Sequence, residues 1–439
     1  MGAQNPFFGG VPSGQVTPGV LRLSVKEAVQ RGLKYNLGLL LSEDQAQAAR
    51  GARWKTQSDL LPNLVLGVRE SAQQINLLAF GIAPPAGSPA VVGPFGVFDA
   101  RAFLTQPVLD IHALQRARQE SQNVQAATWN YRSAREVVVL VVGGSYLQAL
   151  AGAARRDAVQ VQFQTAQALY QQAVDLKKAG VVAGIDVLRA QVEMQAQQQR
   201  LLATSNDYEK QKLSLARVIG LPVAQQFELG DKVPFEAAPE ITLEPALEVA
   251  YRNRADYQAA MSLARAAEAG KKAAQGEALP SLQLTGDYGT LGPRPTDSHG
   301  TFSATAALRV PIFQGGKVRG DVLQADALLK QRQSELDDLR GRIEFEVRAA
   351  LLDLRATGEQ VQVAKSTMKL AQEQLKQAQD RFAAGVANNL DVVQAQESLA
   401  TAEENYISSL NLFNFAKLSL ARAMGSAEEA VRTFAGGSQ

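Results

Sequence analysis

Two aspartates hold equivalent places in a short stretch that the chain uses twice. Asp186 lies in Ala179-Gly180-Val181-Val182-Ala183-Gly184-Ile185-Asp186-Val187, and Asp391 in Ala384-Gly385-Val386-Ala387-Asn388-Asn389-Leu390-Asp391-Val392. A carboxylate so placed favours the positive end of a following helix. Gly180 and Gly385 suit the left-handed residue that ends the preceding one. Asn388 suits an N-cap, and Ala183 is the poorer cap in the first copy. Each copy therefore reads as the turn of a helical hairpin. Other chemistry is scarce. The absence of cysteine excludes disulfides, thiolate metal sites and cysteine nucleophiles. His112 and His299 are the only histidines and read as ordinary surface residues. Carboxylates are plentiful but scattered, as solvated faces are, so an enzyme has little support and no cofactor is expected.

Charge is nearly balanced, with 45 Lys and Arg against 43 Asp and Glu, and no basic run points to nucleic acid. The longest apolar run, Val137 to Val142, meets Gly143-Gly144 after six residues. It falls far short of the roughly 18 that a transmembrane helix needs and reads as a buried helix segment. Met1-Gly2-Ala3-Gln4 shows no signal peptide, and the expectation is that one has been removed.

The elements that position the turns are themselves duplicated. Ser24 with Glu27 forms a capping box that opens a helix running to Leu60, before Leu61-Pro62-Asn63-Leu64. Thr242 opens a second that runs to Leu279-Pro280-Ser281-Leu282, and both landmarks recur 218 residues on. Pro107 and Pro311 lie 204 apart, and the pairs Asp186/Asp391 and Gly220/Gly425 lie 205 apart. The chain is a tandem duplication with 14 extra residues between Pro62 and Pro107. The landmarks divide it into an irregular arm at 1–20, a first repeat at 21–220, a linker at 221–240 holding Pro222, Pro234 and Pro239, a second repeat at 241–425 and a flexible tail at 426–439.

Between the prolines of each half the period falls from 3.6 to 2. Phe302, Ala304, Ala306, Leu308 and Val310 oppose Thr301, Ser303, Thr305 and Arg309. Leu64, Leu66 and Val68 form one face in the first half, as do Phe98, Ala100, Ala102 and Leu104, with Phe103 the exception. Such strands suit a soluble sandwich or a membrane β-barrel. The connection Leu77 to Val97 is long, apolar and rich in Pro and Gly; its counterpart Thr290 to Gly300 is shorter and polar. Long helices follow, from about 112 to 179 and 317 to 384, each roughly 100 Å at 1.5 Å per residue. Val361, Met368, Leu375 and Phe382 recur every seven residues with Ala364, Ala371 and Ala378 between, a coiled-coil pattern. The returning helices, 186–219 and 391–424, are half as long, so one of them stacked on an opening helix matches one long helix.

This order of elements, and its duplication, resembles the TolC family of outer-membrane efflux channels from Leu21 to Gly425. The shared plan is helix, Leu-Pro-x-Leu, two strands, Pro-[Val/Ile]-[Leu/Phe], long helix, Gly-x-x-x-x-[Ile/Leu]-Asp-Val turn and returning helix. The resemblance implies a mainly α fold with a small β part. Tandem-duplicated long helical hairpins would form a coiled-coil α-barrel, and four strands per chain would contribute to a trimeric 12-stranded transmembrane β-barrel. It implies a homotrimeric exit duct of a tripartite efflux or type I secretion system, passively conducting substrates. The duct would sit in outer-membrane lipid of a Gram-negative-type bacterium, with most of the chain in the periplasm. Its partners would be a periplasmic adaptor protein and, through it, an inner-membrane pump. Carried over by position, Asp186, Asp391 and Gln394 line the constriction, Gln394 standing where a second acidic residue is common. Gly180, Val181, Gly184, Gly385, Val386, Asn388 and Asn389 form the hairpin tips that meet the adaptor. Ala387 and Phe382 stand where one branch has an arginine and a tyrosine that lock the gate. The competing class is a structural coiled-coil protein with a small soluble β domain. The alternation of the strand pairs, and their place at one end of each helical hairpin, favour the duct.

Overall fold

The computed structural model describes residues 5–231, 241–384, 386 and 389–434, with the backbone alone at 383, 389 and 432–434. Gly385, Ala387 and Asn388 of the second turn and Pro234 and Pro239 of the linker lie outside the described residues. In chain order the elements are β1 (Leu21–Leu23), α1 (Val25–Tyr35), α2 (Leu37–Ser58), β2 (Asn63–Asn76), β3 (Val91–Leu109), α3 (Ile111–Lys178) and α4 (Gly184–Val218). There follow β4 (Phe227–Leu229), α5 (Leu243–Asn253), α6 (Ala255–Gly276), β5 (Ser281–Arg294), β6 (Asp297–Arg309), α7 (Lys317–Ala383), α8 (Asn389–Ala423) and α9 (Ala427–Phe434). The chain divides into two compact units whose boundaries fall within α2, α3, α6 and α7.

The first unit comprises Met1–Gln45, Thr128–Gln258 and Asp337–Gln439. Its core is aliphatic and small. Val138, Val139 and Val142 of α3 are fully buried, together with Tyr146 and Leu215. α3 holds one stretch apolar enough to cross a membrane by length and composition, and half of that stretch is buried within the fold. Gly143 explains why the apolar run is interrupted: a Cβ there would stand 2.6 Å from Leu418 of α8. The heptad positions of the second repeat do pack inward. Val361, Ala364 and Ala371 are buried, as are Ala402, Leu410 and Phe413 of α8.

Each opening helix is broken once, at a position the helical pattern does not reveal. Asn36 separates α1 from α2 and Arg254 separates α5 from α6, the same 218-residue offset that relates the two helix starts. Both residues have extended backbones, with φ/ψ of −67/129 and −64/116. In the first repeat the break is filled by an amide. Asn36, fully buried, donates Nδ2 to the carbonyls of Phe7 and Val218, and its Oδ1 accepts from Gly38 N–H at 3.0 Å. In the second it is filled by a charge. Arg254, 2 % exposed, grips Asp256 at 3.1 and 2.6 Å and Glu346 at 2.5 Å, and reaches the carbonyl of Ala423. Asp256 in turn caps α6 by accepting from Tyr257 N–H at 3.0 Å.

Two expectations are corrected, for the tail and for the strand connections. Residues 427–434 are helical rather than a flexible tail: Ala427 and Val431 are buried, and Glu136 accepts the Ala427 N–H at 2.6 Å, a side-chain cap supplied from α3. Within the linker, β4 pairs in parallel with β1, Leu21 to Phe227 through Leu23 to Leu229. Both strand connections are shorter than the expected Leu77–Val97 and Thr290–Gly300, because the strands run on into them. β3 starts at Val91, and β5 and β6 leave only Pro295 and Thr296 between them.

Burial opposes ionisation of Asp256, and the hydrogen bonds and charge of Arg254 outweigh it, so its carboxyl sits below the ordinary 3.8. A depressed carboxylate contributes stability above its unfolded value and loses it as pH falls through the folded one. The wild-type unfolding midpoint should therefore hold steady above about pH 5 and fall below about pH 4. Arg254→Met should cost about 3–5 kcal/mol at neutral pH, by stranding two carboxylates, and flatten the acid limb. Denaturant unfolding followed across pH checks both.

Candidate functional site

The second unit, Ala46–Ala127 with Ala259–Leu336, carries the sheet. Its order is β2-β3-β5-β6, antiparallel throughout, so the two repeats meet at the central β3–β5 pair. β2 and β6 lie at the edges and have no further strand partner among the described residues. Pro107, which has no N–H to give the ladder, sits at a register shift between β3 and β5. The β2–β3 ladder runs on past the last β3–β5 pair, Phe98 with Gly292, to Asn76 with Val91. No charged residue occurs between Glu70 and Asp99.

Register sorts the side chains as the alternation predicts. Leu66 pairs with Ala102, Ala102 with Tyr288 and Tyr288 with Phe302, all on one face. Tyr288 and Phe302 are 75 and 76 % exposed, and Leu64, Leu66, Val68 and Leu308 are exposed with them. The other face is polar and ion-paired. Arg101 holds Asp99 through two bonds of 2.6 Å and Asp287 at 3.0 Å, while Arg69 lies 3.9 Å from Asp99. The Ser303 hydroxyl donates to Asp287. Phe103, a large apolar residue on this face beside Val65, has a steric reason to be there. Its ring covers Gly67, where a Cβ would stand 3.2 Å away, and the Arg101 guanidinium lies 5.2 Å from its centroid. The ion cluster was beyond sequence reasoning, because joining Arg69, Asp99, Arg101 and Asp287 needs the register of three strands. His112 is half-buried rather than a surface residue, with Nδ1 3.0 Å from the Ala273 carbonyl; His299 is exposed.

The hairpin turns lie in the first unit. α3 ends at Lys178, and Gly180, at φ +76°, takes the left-handed conformation its place requires. Val181 N–H closes the turn on the Leu176 carbonyl at 2.9 Å. α4 then begins at Gly184 behind Ala183, which makes no side-chain cap. Asp186, in the first turn, is half-buried and lies 3.5 Å from Arg189. In the second copy Val386 N–H bonds the Arg381 carbonyl at 3.1 Å, and α8 begins at Asn389. Asp391 occupies its first turn and Gln394 the next, both exposed. Val181 and Val386 are exposed as well. Beside them Ile185, Leu188 and Val192 of α4 face Leu390 and Val393 of α8 across an open apolar groove of about 380 Å³. Among the described residues no group of three or more His, Cys, Asp or Glu side chains is placed to hold a metal ion.

Duplicated helical hairpins joined to a four-stranded sheet with one apolar face define the fold of the TolC-like outer-membrane channels. The family model described as outer membrane efflux protein matches residues 29–221 and 246–426, and the chain belongs to that family. Among relatives, the toluene efflux pump outer membrane protein TtgF of Pseudomonas putida is 24% identical over 394 residues, covering 88% of this chain and 79% of its own length. The alkaline protease secretion protein AprF of Pseudomonas aeruginosa is 23% identical over 310 residues, 68% of this chain and 63% of its own length. The structure of the CmeC outer membrane channel of Campylobacter jejuni superposes with a TM-score of 0.79 at 15% identity, covering 98% of this chain and 94% of that one.

The two sheet faces differ enough to be told apart by one substitution each. In an outer-membrane barrel, Leu308→Arg should cost about 2–4 kcal/mol if the site lies near mid-bilayer. Thr305→Arg, on the ion-paired face, should cost far less. Equilibrium unfolding into lipid vesicles measures the pair, and equal costs would contradict the assignment of faces.

Proposed function

We propose that the protein is a homotrimeric exit duct in the outer membrane, conducting substrates passively for a tripartite efflux or type I secretion system. The observation that carries this reading is the sheet: four strands, two open edges, one apolar face and one ion-paired face. Four strands are too few to close a barrel, whereas three chains supply twelve and leave no edge. The apolar face then meets lipid and the Arg101 cluster meets the lumen. The chain performs no chemistry of its own in this reading. TtgF is named for toluene efflux and AprF for protease secretion, and this chain is almost equally similar to both, which supports the duct without choosing its cargo.

The tips supply the partner surface. Ile185, Leu188 and Val192 form an exposed stripe at helical spacing, and with Leu390 and Val393 they offer the apolar groove that an amphipathic helix fills. The occupant in this reading is a helical hairpin of a periplasmic adaptor, which connects the duct to an inner-membrane pump. Gly180, Val181, Gly184, Val386 and Asn389 flank the groove's two helices in sequence and belong to the same contact. Asp391, with Gln394 one turn on and Asp186 in the first repeat, lines the constriction.

Mass measurement of the detergent-purified particle tests the assembly: a trimer is expected, and a monomer of globular dimensions overturns it. Asp391→Asn keeps the shape and removes the charge. It should lower cation preference in single-channel recordings with the trimer intact, because three like charges in a constriction concentrate cations. Unchanged selectivity would leave Asp391 as a helix-dipole partner alone. Leu188→Asp should weaken binding of the adaptor at least about tenfold, roughly 1.4 kcal/mol, while conductance stays as in the wild type.

A further inference from the structure

The two hairpins of the sheet share one register. In the first, Leu64 pairs with Leu104; the residues 218 and 204 further on, Leu282 and Leu308, pair in the second. The correspondence holds for every rung. It runs from Asn63 with Thr105, matched by Ser281 with Arg309, to Gln73 with Phe95, matched by Leu291 with His299. The 14 residues that the first repeat adds fall at the hairpin tip, beyond Asn76, and leave these rungs undisturbed. The hairpins are therefore one structural unit used twice, and the β3–β5 ladder is the joint between a unit and the next.

In a closed ring of three chains that joint has to recur. β6 ends the second unit as β3 ends the first, and β2 of the next copy opens a unit as β5 does. Moving the β3–β5 rungs forward by 204 on one strand and back by 218 on the other gives each edge residue an opposite number. Ala100 with Thr290 becomes Ala304 with Ala72, and Leu104 with Gly286 becomes Leu308 with Val68. The apolar faces of the two edges thereby coincide. Charged edge residues meet small ones: Phe103 with Asp287 becomes Ala307 with Arg69, and Thr105 with Thr285 becomes Arg309 with Gly67. A slip of one residue would set the apolar face of one strand against the polar face of the other. A slip of two in one direction would place Arg309 directly opposite Arg69, and like charges so placed destabilise a strand pair.

Resting on the trimeric reading above, we propose that β6 of each copy pairs antiparallel with β2 of the next in this register, from Ser303 with Gln73 to Arg309 with Gly67. The barrel wall is then one hairpin repeated six times, and the seam between copies repeats the joint inside each chain. The partner that fits the open edge is a second copy because that edge already has the alternation and the spacing of small residues that β3 and β5 use on each other. What is copied is register and not every backbone angle. A Cβ at Gly289 would strike the Ala100 carbonyl, and the counterpart of Gly289 at the edge is Ser71, so the strands stand further apart at that rung of the seam.

The chain has no cysteine, so an introduced pair forms the only disulfide available. Within one copy Val68 and Leu308 lie on opposite edges of the sheet. Three strand spacings, about 14 Å, separate them, beyond the roughly 7 Å that a disulfide tolerates between Cα atoms, so any link joins two copies. Leu308→Cys is combined in turn with Val68→Cys, Leu66→Cys and Glu70→Cys in the full chain, purified in detergent, weighed as an intact particle and oxidised. Ala304→Cys with Ala72→Cys repeats the measurement on a second rung, with smaller changes of volume. On denaturing gels the Val68 pair should link at least about fivefold more than the Leu66 or Glu70 pair, and the main product should be a covalent trimer, because each copy is joined to the next. A higher yield from the Leu66 or Glu70 pair overturns the register. No link from any pair, in a particle of trimeric mass, overturns the pairing of β6 with β2. A particle of monomeric mass overturns the trimeric reading itself, and the seam with it.

Discussion

A backbone N–H or C=O withdrawn from water needs a partner, and this chain's distinctive features lie where its own ladders stop supplying one. Within the long helices the requirement is met locally, residue by residue. It becomes a problem at the breaks in the opening helices, at the turns between hairpins and along the two sheet edges. Asn36 meets it with a side-chain amide, and Val181 and Val386 meet it by closing tight turns on the helices they follow. The edges β2 and β6 are where the described chain leaves the requirement unmet, and the proposed assembly with other copies rests on that.

The duplication preserved geometry more strictly than chemistry. Asn36 and Arg254 occupy equivalent positions with nearly the same backbone angles, yet one repeat fills the break with a neutral amide and the other with a buried charge and two carboxylates. The turn sequences diverged similarly, Ala183 in one repeat standing against Asn388 in the other. A shape that each repeat must adopt constrains the backbone. The side chains that stabilise it need only satisfy the groups left over.

This division explains what could be read from the residues alone. The ends of α3, α4, α7 and α8 follow from local signals, Gly at the turn and unbroken helical periodicity, and they fall within a few residues of expectation. The faces of β5 and β6 follow from period-2 alternation, which needs no knowledge of the partner strand. The break at Arg254 was hidden because its helix-breaking ψ is supported by Glu346 and Ala423, far away in the chain. α9 was hidden because its N-terminal cap is Glu136, nearly 300 residues earlier, and a short polar-looking stretch gives little pattern by itself. At the tips, the groove between α4 and α8 requires the pairing of the two hairpins, whereas Asp186 and Asp391 stood out by repetition.

The extension of the β2–β3 ladder beyond its neighbours has a practical corollary. With no Lys or Arg between Arg69 and Arg101, trypsin has no peptide bond to cut there, and amine-reactive labels have no side chain to modify. Limited proteolysis with that enzyme would leave everything from residue 70 to 101 in one fragment whether it stood open to the solvent or packed away. A map of surface accessibility built on tryptic peptides would therefore be blind to this extension, and a protease that cuts at aromatic residues, with sites at Phe80, Phe95 and Phe98, would see it.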